Sequence, residues 1–171
     1  PLAIAQAAVF MRETGLSPEE YLREVERNWG ETFARDPIGN SAVMQPLRLA
    51  LELIFRRIPG ADPTAGQLLN VAAFFDPQGI DEDLLLAACT YGSGSRLRAL
   101  AGNPAGLRRH IEELVKYEIL SERNHVLAAS DLVMDAARDR LDPEEFATFA
   151  RIAISAIDRT FHVDNQKVDS R

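Results

Sequence analysis

The chain has 171 residues, with 19 Lys and Arg against 26 Asp and Glu and a formal net charge of −7. Its 46% hydrophobic content excludes a wholly disordered chain, and its single cysteine excludes an internal disulfide. Acidic residues outnumber basic ones in residues 1–60, 61–129 and 130–171 alike, so no third offers a broad phosphate-binding face. The length suits one or two small domains, and no Cys/His spacing indicates a zinc site.

The first residues bear on where the protein works. The stretch from Leu2 to Met11 is apolar, but no basic segment precedes it and it is far shorter than the roughly 20 residues that span a bilayer. One cysteine in a chain of this composition fits a reducing compartment. We therefore expect a cytoplasmic protein without a membrane partner. Because the chain begins at Pro1 rather than at a methionine, we expect a processed product or an excerpt.

Four motifs place a capping residue directly before a proline, which suits the first helical position because it has no N–H to donate. Two of them add a glutamate that reaches back to the cap, as in a capping box. The four are Ser17-Pro18, Asp62-Pro63, Asn103-Pro104 and Asp142-Pro143. Together with a cap at Asp81, they predict where five helices begin. An apolar helix is predicted from Leu2 to Met11, with Gly15 able to end it, and further helices are predicted over residues 47–58 and 131–141.

Two breaks in this helical pattern set the predicted architecture. Between Asn28 and Val43 the periodicity fails, which predicts a hinge at 31–43 between a helical subdomain at 1–30 and a second subdomain at 44–141. Residues 119–122 and 125–128 predict two short strands around a turn at Arg123-Asn124. Helices followed by a hairpin form the order of a winged helix, so the expected fold class is mainly α with one short β-hairpin. A C-terminal helix at 142–162 and a frayed tail at 163–171 complete it.

A winged helix raises the question of DNA binding, because its recognition helix enters the major groove. The helix after Pro104 carries Arg108, Arg109, His110 and Lys116. Acidic residues interleave with them at Glu112, Glu113 and Glu118. Since these acids weaken phosphate neutralisation, the pattern favours a winged helix that faces protein over one that reads DNA.

Three further features are candidates for chemistry. The loop at Gly92–Ser95 lacks the preceding strand and the lysine of a phosphate loop, which indicates a plain flexible loop. Cys89 lies on the apolar side of a short helix and is interpreted as a buried structural thiol rather than a nucleophile. One helix face carries three aspartates, Asp131, Asp135 and Asp139. We interpret these repeated acids as a solvent-exposed face rather than as a metal site. No catalytic constellation emerges.

The run from Pro1 to Ala8, followed by Met11 to Ser17 and Glu20 to Leu22, resembles the helical segment after the Gly-Leu-Pro-Leu-Ala motif of NB-ARC ATPases. These are the signal-transduction (STAND) NTPases of the apoptosome and of plant resistance proteins. Their hinge, winged helix and hairpin follow in the same order. In that family a Met-His-Asp motif opens the next helix, and the segment from Ala129 to Val133 is similar to it.

The resemblance implies a nucleotide site to which three residues of this chain belong. Pro1 matches the proline that packs near the adenine, and Ser130 matches the histidine that contacts the ADP β-phosphate. A serine offers a hydroxyl but no imidazolium charge, so we expect a weakened contact. Asp131 matches the family's aspartate, where a helix-capping role is sufficient. The Walker A lysine and Walker B acids have no counterpart, so we expect no ATP hydrolysis by these residues alone, and ADP or ATP only in the intact protein.

The function implied by the resemblance is that of a regulatory part in an ATP/ADP-dependent signalling switch, which controls a closed-to-open change and oligomerisation. The implied partners are an upstream nucleotide-binding core of the same polypeptide, further copies in an activated homo-oligomer, and a downstream repeat array, commonly tetratricopeptide-like. No nucleic-acid partner is expected. The alternatives are a winged-helix protein of transcription that binds DNA or a partner factor, and a plain helical interaction domain.

Overall fold

The structure, a computed structural model, describes residues 2–34, 45–92, 95–124 and 126–168. Within these ranges the chain is mainly helical with one small antiparallel sheet, which confirms the predicted fold class. The α-helices are α1 (Leu2–Thr14), α2 (Pro18–Ala34), α3 (Gln45–Ala61), α4 (Pro63–Ala72), α5 (Glu82–Tyr91), α6 (Pro104–Lys116), α7 (Asp131–Asp139) and α8 (Pro143–Val168). A 3₁₀ helix spans Arg96–Leu100, and the strands are β1 (Ser121–Arg123) and β2 (Val126–Ala128). The chain divides into two compact units, one ending at Arg57 and one beginning at Ile58.

The first unit is built around the turn between α1 and α2. Gly15 has a φ of 72°, and its N–H donates to the carbonyl of Met11 at 2.8 Å, which ends α1 in the left-handed conformation that glycine accepts. The predicted capping box follows: the Ser17 hydroxyl accepts from the Glu20 N–H at 3.2 Å, and the Glu20 carboxylate accepts from the Ser17 N–H at 2.8 Å. The rings of Phe10 and Tyr21 lie 6.0 Å apart, so side chains of α1 and α2 pack together next to this turn.

The predicted hinge at 31–43 falls largely outside the described residues. α2 continues helically through residues 31–34, and α3 begins at Gln45. The division between the two compact units lies between Arg57 and Ile58, inside α3. None of the helices in the described ranges is long and apolar enough to cross a membrane.

The second unit contains helices followed directly by the hairpin, the order that the sequence predicts. After α4, Ile80 bridges to Leu127 of β2, with N–H to carbonyl distances of 2.9 and 3.2 Å in the two directions. Helices α5 and α6 follow, and then β1 and β2 pair with Glu122 opposite Leu127. β2 therefore lies between Ile80 and β1.

The hairpin is confirmed, but the predicted bounds of its first strand and turn are wrong. Arg123 belongs to β1 and pairs with Val126, so it is a strand residue rather than a turn residue, and Asn124 follows it with a φ of 51°. Residue 125, predicted to begin the second strand, lies outside the described residues. Glu118 has a φ of 53° after α6. Ile119 and Leu120, predicted to begin the first strand, are instead buried core residues that precede it.

The remaining predicted caps are confirmed. Asp62 accepts from the N–H groups of Thr64 and Ala65, and Asp81, Asn103 and Asp142 each accept from N–H groups in the first turn of the helix that follows. α8 buries Phe149, Ile152, Ala153 and Ala156. Its helical conformation extends to Val168, beyond residue 162 where the sequence pattern ends.

Candidate functional site

The candidate site predicted from the sequence lies at the start of α7. Pro1 is outside the described residues. Ser130 is the N-cap of α7, with φ −83° and ψ 146°, and its hydroxyl accepts from the Val133 N–H at 3.3 Å. The capping role expected for Asp131 is therefore wrong, because the capping residue must have an extended backbone and that residue is Ser130. Asp131 is the first helical residue, where the positive end of the helix dipole stabilises its carboxylate.

The entry to α7 is held by the turn that follows α4. The Ala129 N–H donates to the carbonyl of Pro77 at 2.7 Å, and the Ala129 carbonyl accepts from Nε2 of Gln78 at 3.1 Å. Asp76 accepts from the Gln78 N–H at 2.9 Å through its own side chain, which closes the turn. The sequence carries no signal that this turn contacts Ala129. Ser130 therefore follows a residue whose backbone polar groups are both bonded to a distant turn.

The far end of α7 is tied to α4 by two arginines. Arg138 donates to the backbone carbonyl of Ala73 and to the carboxylate of Asp135. Arg140 donates to the side-chain carbonyl of Asn70, a buried residue of α4. Among the described residues no group of three His, Cys, Asp or Glu side chains is placed to hold a metal ion. On the aspartate face of α7, Asp135 forms an ion pair with Arg138.

The α6 side chains considered for DNA contact are mostly engaged within the second unit. Arg108 bonds the carboxylates of Glu82 on α5 and Glu122 on β1, and its Nε lies 3.6 Å from Glu112. The hydrogen bond to Glu122 raises the pKa of Arg108 above its usual value, and the bond to Glu82 adds to this rise. Partial burial opposes the rise but does not cancel it. Its charge is therefore directed at protein carboxylates rather than at solvent.

The other α6 candidates have separate environments. His110 is 6% exposed, and its Nδ1 lies 2.5 Å from Oδ2 of Asp62, the residue that caps α4. Lys116 Nζ lies 3.7 Å from the Glu113 carboxylate and 5.4 Å from the centroid of the Tyr117 ring. Arg109 is exposed. α6 therefore presents mixed and largely compensated charge, unlike the basic stripe that DNA phosphates require.

Cys89 of α5 and the loop that follows this helix are the remaining candidates for chemistry. Cys89 is 0% exposed, and burial raises the pKa of its thiol to about 11, which keeps it protonated and unreactive at neutral pH. The interpretation of Cys89 as a buried thiol is confirmed. Residues 93 and 94 of the glycine-serine loop lie outside the described residues. In the rest of that loop, the Ser95 hydroxyl donates to the carbonyl of Gly92 at 2.7 Å.

Comparison with known proteins returns no match for this chain among protein-family models, curated proteins or solved structures. The resemblance to NB-ARC proteins therefore stays a prediction that rests on the sequence motifs.

Proposed function

We propose that this chain is the helical and winged-helix regulatory part of a cytoplasmic NB-ARC-type switch, and that its winged helix faces protein rather than DNA. The observation that carries the proposal is the position of Ser130. It caps the helix that directly follows the winged-helix hairpin, where the family has its nucleotide-sensing histidine.

The chemistry of Ser130 suits a modest nucleotide contact. Its oxygen accepts from the Val133 N–H, while its hydroxyl proton can still be donated to a phosphate oxygen. The first turn of α7 adds the positive end of a helix dipole, but Asp131 next to it adds a negative charge. We therefore propose an ADP contact that is weaker than one made by a charged imidazole.

In this proposal the nucleotide is bound by an upstream core of the same polypeptide, and Ser130 holds the winged helix against that core in the ADP state. Loss of the contact shifts the population towards an open arrangement that forms homo-oligomers. The compensated charges on α6 support a protein-facing role, because Arg108 is bonded to Glu82 and Glu122.

The test is ADP retention by the polypeptide extended upstream to include the nucleotide-binding core. We expect tight ADP binding, which Ser130→Ala weakens by about twofold to tenfold, the value of one neutral hydrogen bond. Ser130→His should prolong retention, because imidazolium adds charge. The control is Ser155→Ala in α8, which should leave retention unchanged. An extended polypeptide that does not bind ADP would overturn the proposal.

A further inference from the structure

Ala129 is held through both of its backbone polar groups by a turn 50 residues earlier in the chain, and one of these contacts comes from a side chain. Pro77 accepts from the Ala129 N–H at 2.7 Å through its backbone carbonyl. Gln78 donates its side-chain amide to the Ala129 carbonyl at 3.1 Å, across 51 positions of sequence. Because Gln78 is exposed and its contact is made by a side chain, the bond can be removed without changing the backbone or the core.

The turn that carries Gln78 is itself anchored on both sides. Asp76 accepts from the Gln78 N–H at 2.9 Å and, through its backbone carbonyl, from the Gly79 N–H at 3.2 Å. Immediately afterwards, Ile80 exchanges two hydrogen bonds with Leu127 of β2. The Gln78 amide is therefore presented to Ala129 from a turn fixed to the wing, by which we mean the hairpin of β1 and β2.

The bond to Ala129 bears directly on Ser130 because the two residues share one peptide plane. The direction of the Ala129 carbonyl fixes the orientation of the peptide plane that precedes Ser130, and the φ of Ser130 is a rotation relative to that plane. The Ser130 side chain can cap α7 only while its backbone keeps the observed extended conformation. The Ser130 backbone carbonyl also accepts from Val133 and Met134, at 3.0 and 3.2 Å. A change in this peptide plane should therefore loosen the whole first turn of α7.

We propose that Gln78 is a positioning residue: its amide fixes the Ala129–Ser130 peptide and so aims the Ser130 hydroxyl from the winged helix. The nucleotide part of this inference rests on the proposed function, while the positioning of the first turn of α7 does not. Gln78 thereby couples the wing, through Ile80 and Leu127, to the residue proposed to sense the nucleotide.

The first test is amide hydrogen exchange at Val133 and Met134 in the 171-residue chain. Gln78→Glu keeps the shape but removes the N–H donor, Gln78→Ala removes the side chain, and Gln78→Lys keeps a donor. We expect exchange about twofold to tenfold faster in the Glu and Ala variants and close to wild type in the Lys variant. Gln67→Ala is the matched control, because it removes a different long-range side-chain bond, the one that Gln67 accepts from the Arg96 N–H. This substitution should not affect exchange in α7. Equal exchange in all three Gln78 variants, whether slow or fast, would overturn the positioning role.

The second test measures the ADP dissociation rate in the polypeptide extended upstream. We expect faster dissociation in Gln78→Glu and Gln78→Ala and a rate close to wild type in Gln78→Lys. If the wild-type polypeptide retains ADP and Gln78→Glu retains it equally, the coupling is wrong although the proposed function stands. If wild type binds no ADP, the proposed function and the coupling to it fail together, and hydrogen exchange still decides the positioning role separately.

Discussion

The Asp62 carboxylate joins two helices of the second unit through its separate oxygens. Oδ1 accepts from the N–H groups of Thr64 and Ala65 and caps α4, while Oδ2 lies 2.5 Å from Nδ1 of the buried His110 on α6. α6 is thereby fixed to the first turn of α4. His110, which the sequence analysis considered for DNA contact, instead contacts Asp62 within the second unit.

Removal of this carboxylate should destabilise the second unit more than the loss of a cap alone. Asp62→Ala leaves both the first turn of α4 and the buried His110 without their partner, and we expect a loss of about 2–4 kcal/mol in the free energy of unfolding. Asp62→Asn keeps a capping oxygen and should cost about half as much. Asp81→Ala is the control, because the Asp81 side chain caps α5 in the first turn, and should cost about 1 kcal/mol. Urea denaturation followed by circular dichroism measures all three; equal losses in the two alanine variants would contradict a special role for the pair.

The same carboxylate predicts a pH dependence. Partial burial opposes ionisation of Asp62, but the hydrogen bonds from Ala65, His110 and Thr64 outweigh it and hold the pKa below its ordinary value of 3.8. Because the folded-state pKa is depressed, the ionised carboxylate stabilises the fold above the unfolded-state pKa, and this contribution is lost as the pH falls through the folded-state value. The difference in unfolding free energy between wild type and Asp62→Asn should therefore shrink as the pH falls below about 4. A difference that persists undiminished in stronger acid would contradict this assignment.

The local parts of this fold could be predicted from the sequence because their signals are local. Ser17 and Asp62 cap helices through atoms two or three residues away, and a proline follows each at the first helical position. The start of β1 could not be predicted in this way, because Glu118 takes a left-handed conformation that its residue type does not favour. Ile119 and Leu120, which follow it, are buried in the core rather than paired in the strand.

The candidate site could be predicted only in part, for a related reason. The sequence identified Ser130 at the start of α7, but the contacts that fix its position come from Gln78, 51 residues before Ala129. The pairing of His110 with Asp62 likewise spans 48 residues. Such contacts are set by tertiary packing, which neither periodicity nor spacing encodes.

Two helical glycines of the second unit should respond in opposite ways to alanine. A Cβ built on Gly66 in α4 would lie 2.9 Å from Cγ of Pro59, whose ring cannot move aside easily, whereas one built on Gly60 in α3 meets nothing within 4 Å. We expect Gly66→Ala to destabilise the unit by about 1–3 kcal/mol through overpacking. Gly60→Ala should instead stabilise it by about 0.5–1 kcal/mol, the ordinary helical preference for alanine. Thermal unfolding compares the two, and a stabilising Gly66→Ala would show that the Pro59 contact is not tight.

The left-handed conformation of Glu118 predicts a stabilising substitution. Its φ of 53° costs free energy for any residue with a Cβ, and glycine removes that cost. Glu118→Ala removes the side chain but retains the strain, so it is the matched control. We expect Glu118→Gly to be more stable than Glu118→Ala by about 1 kcal/mol in chemical denaturation. Equal stability of the two variants would argue against this backbone conformation after α6.

The charges on α6 argue against DNA binding. Arg108 is bonded to Glu82 and Glu122, and His110 is buried against Asp62, so few cations are available to phosphates. We expect no shift of duplex DNA by the 171-residue chain at about 150 mM salt. The double variant Glu82→Gln with Glu122→Gln removes two competing carboxylates and should give weak, salt-sensitive binding through the released Arg108. A shift of duplex DNA by wild type that Arg109→Ala abolishes would contradict this prediction. The exposed side of α6 would then be a DNA-binding surface, because the phosphate contacts of Arg109 would outweigh the repulsion from its acidic neighbours.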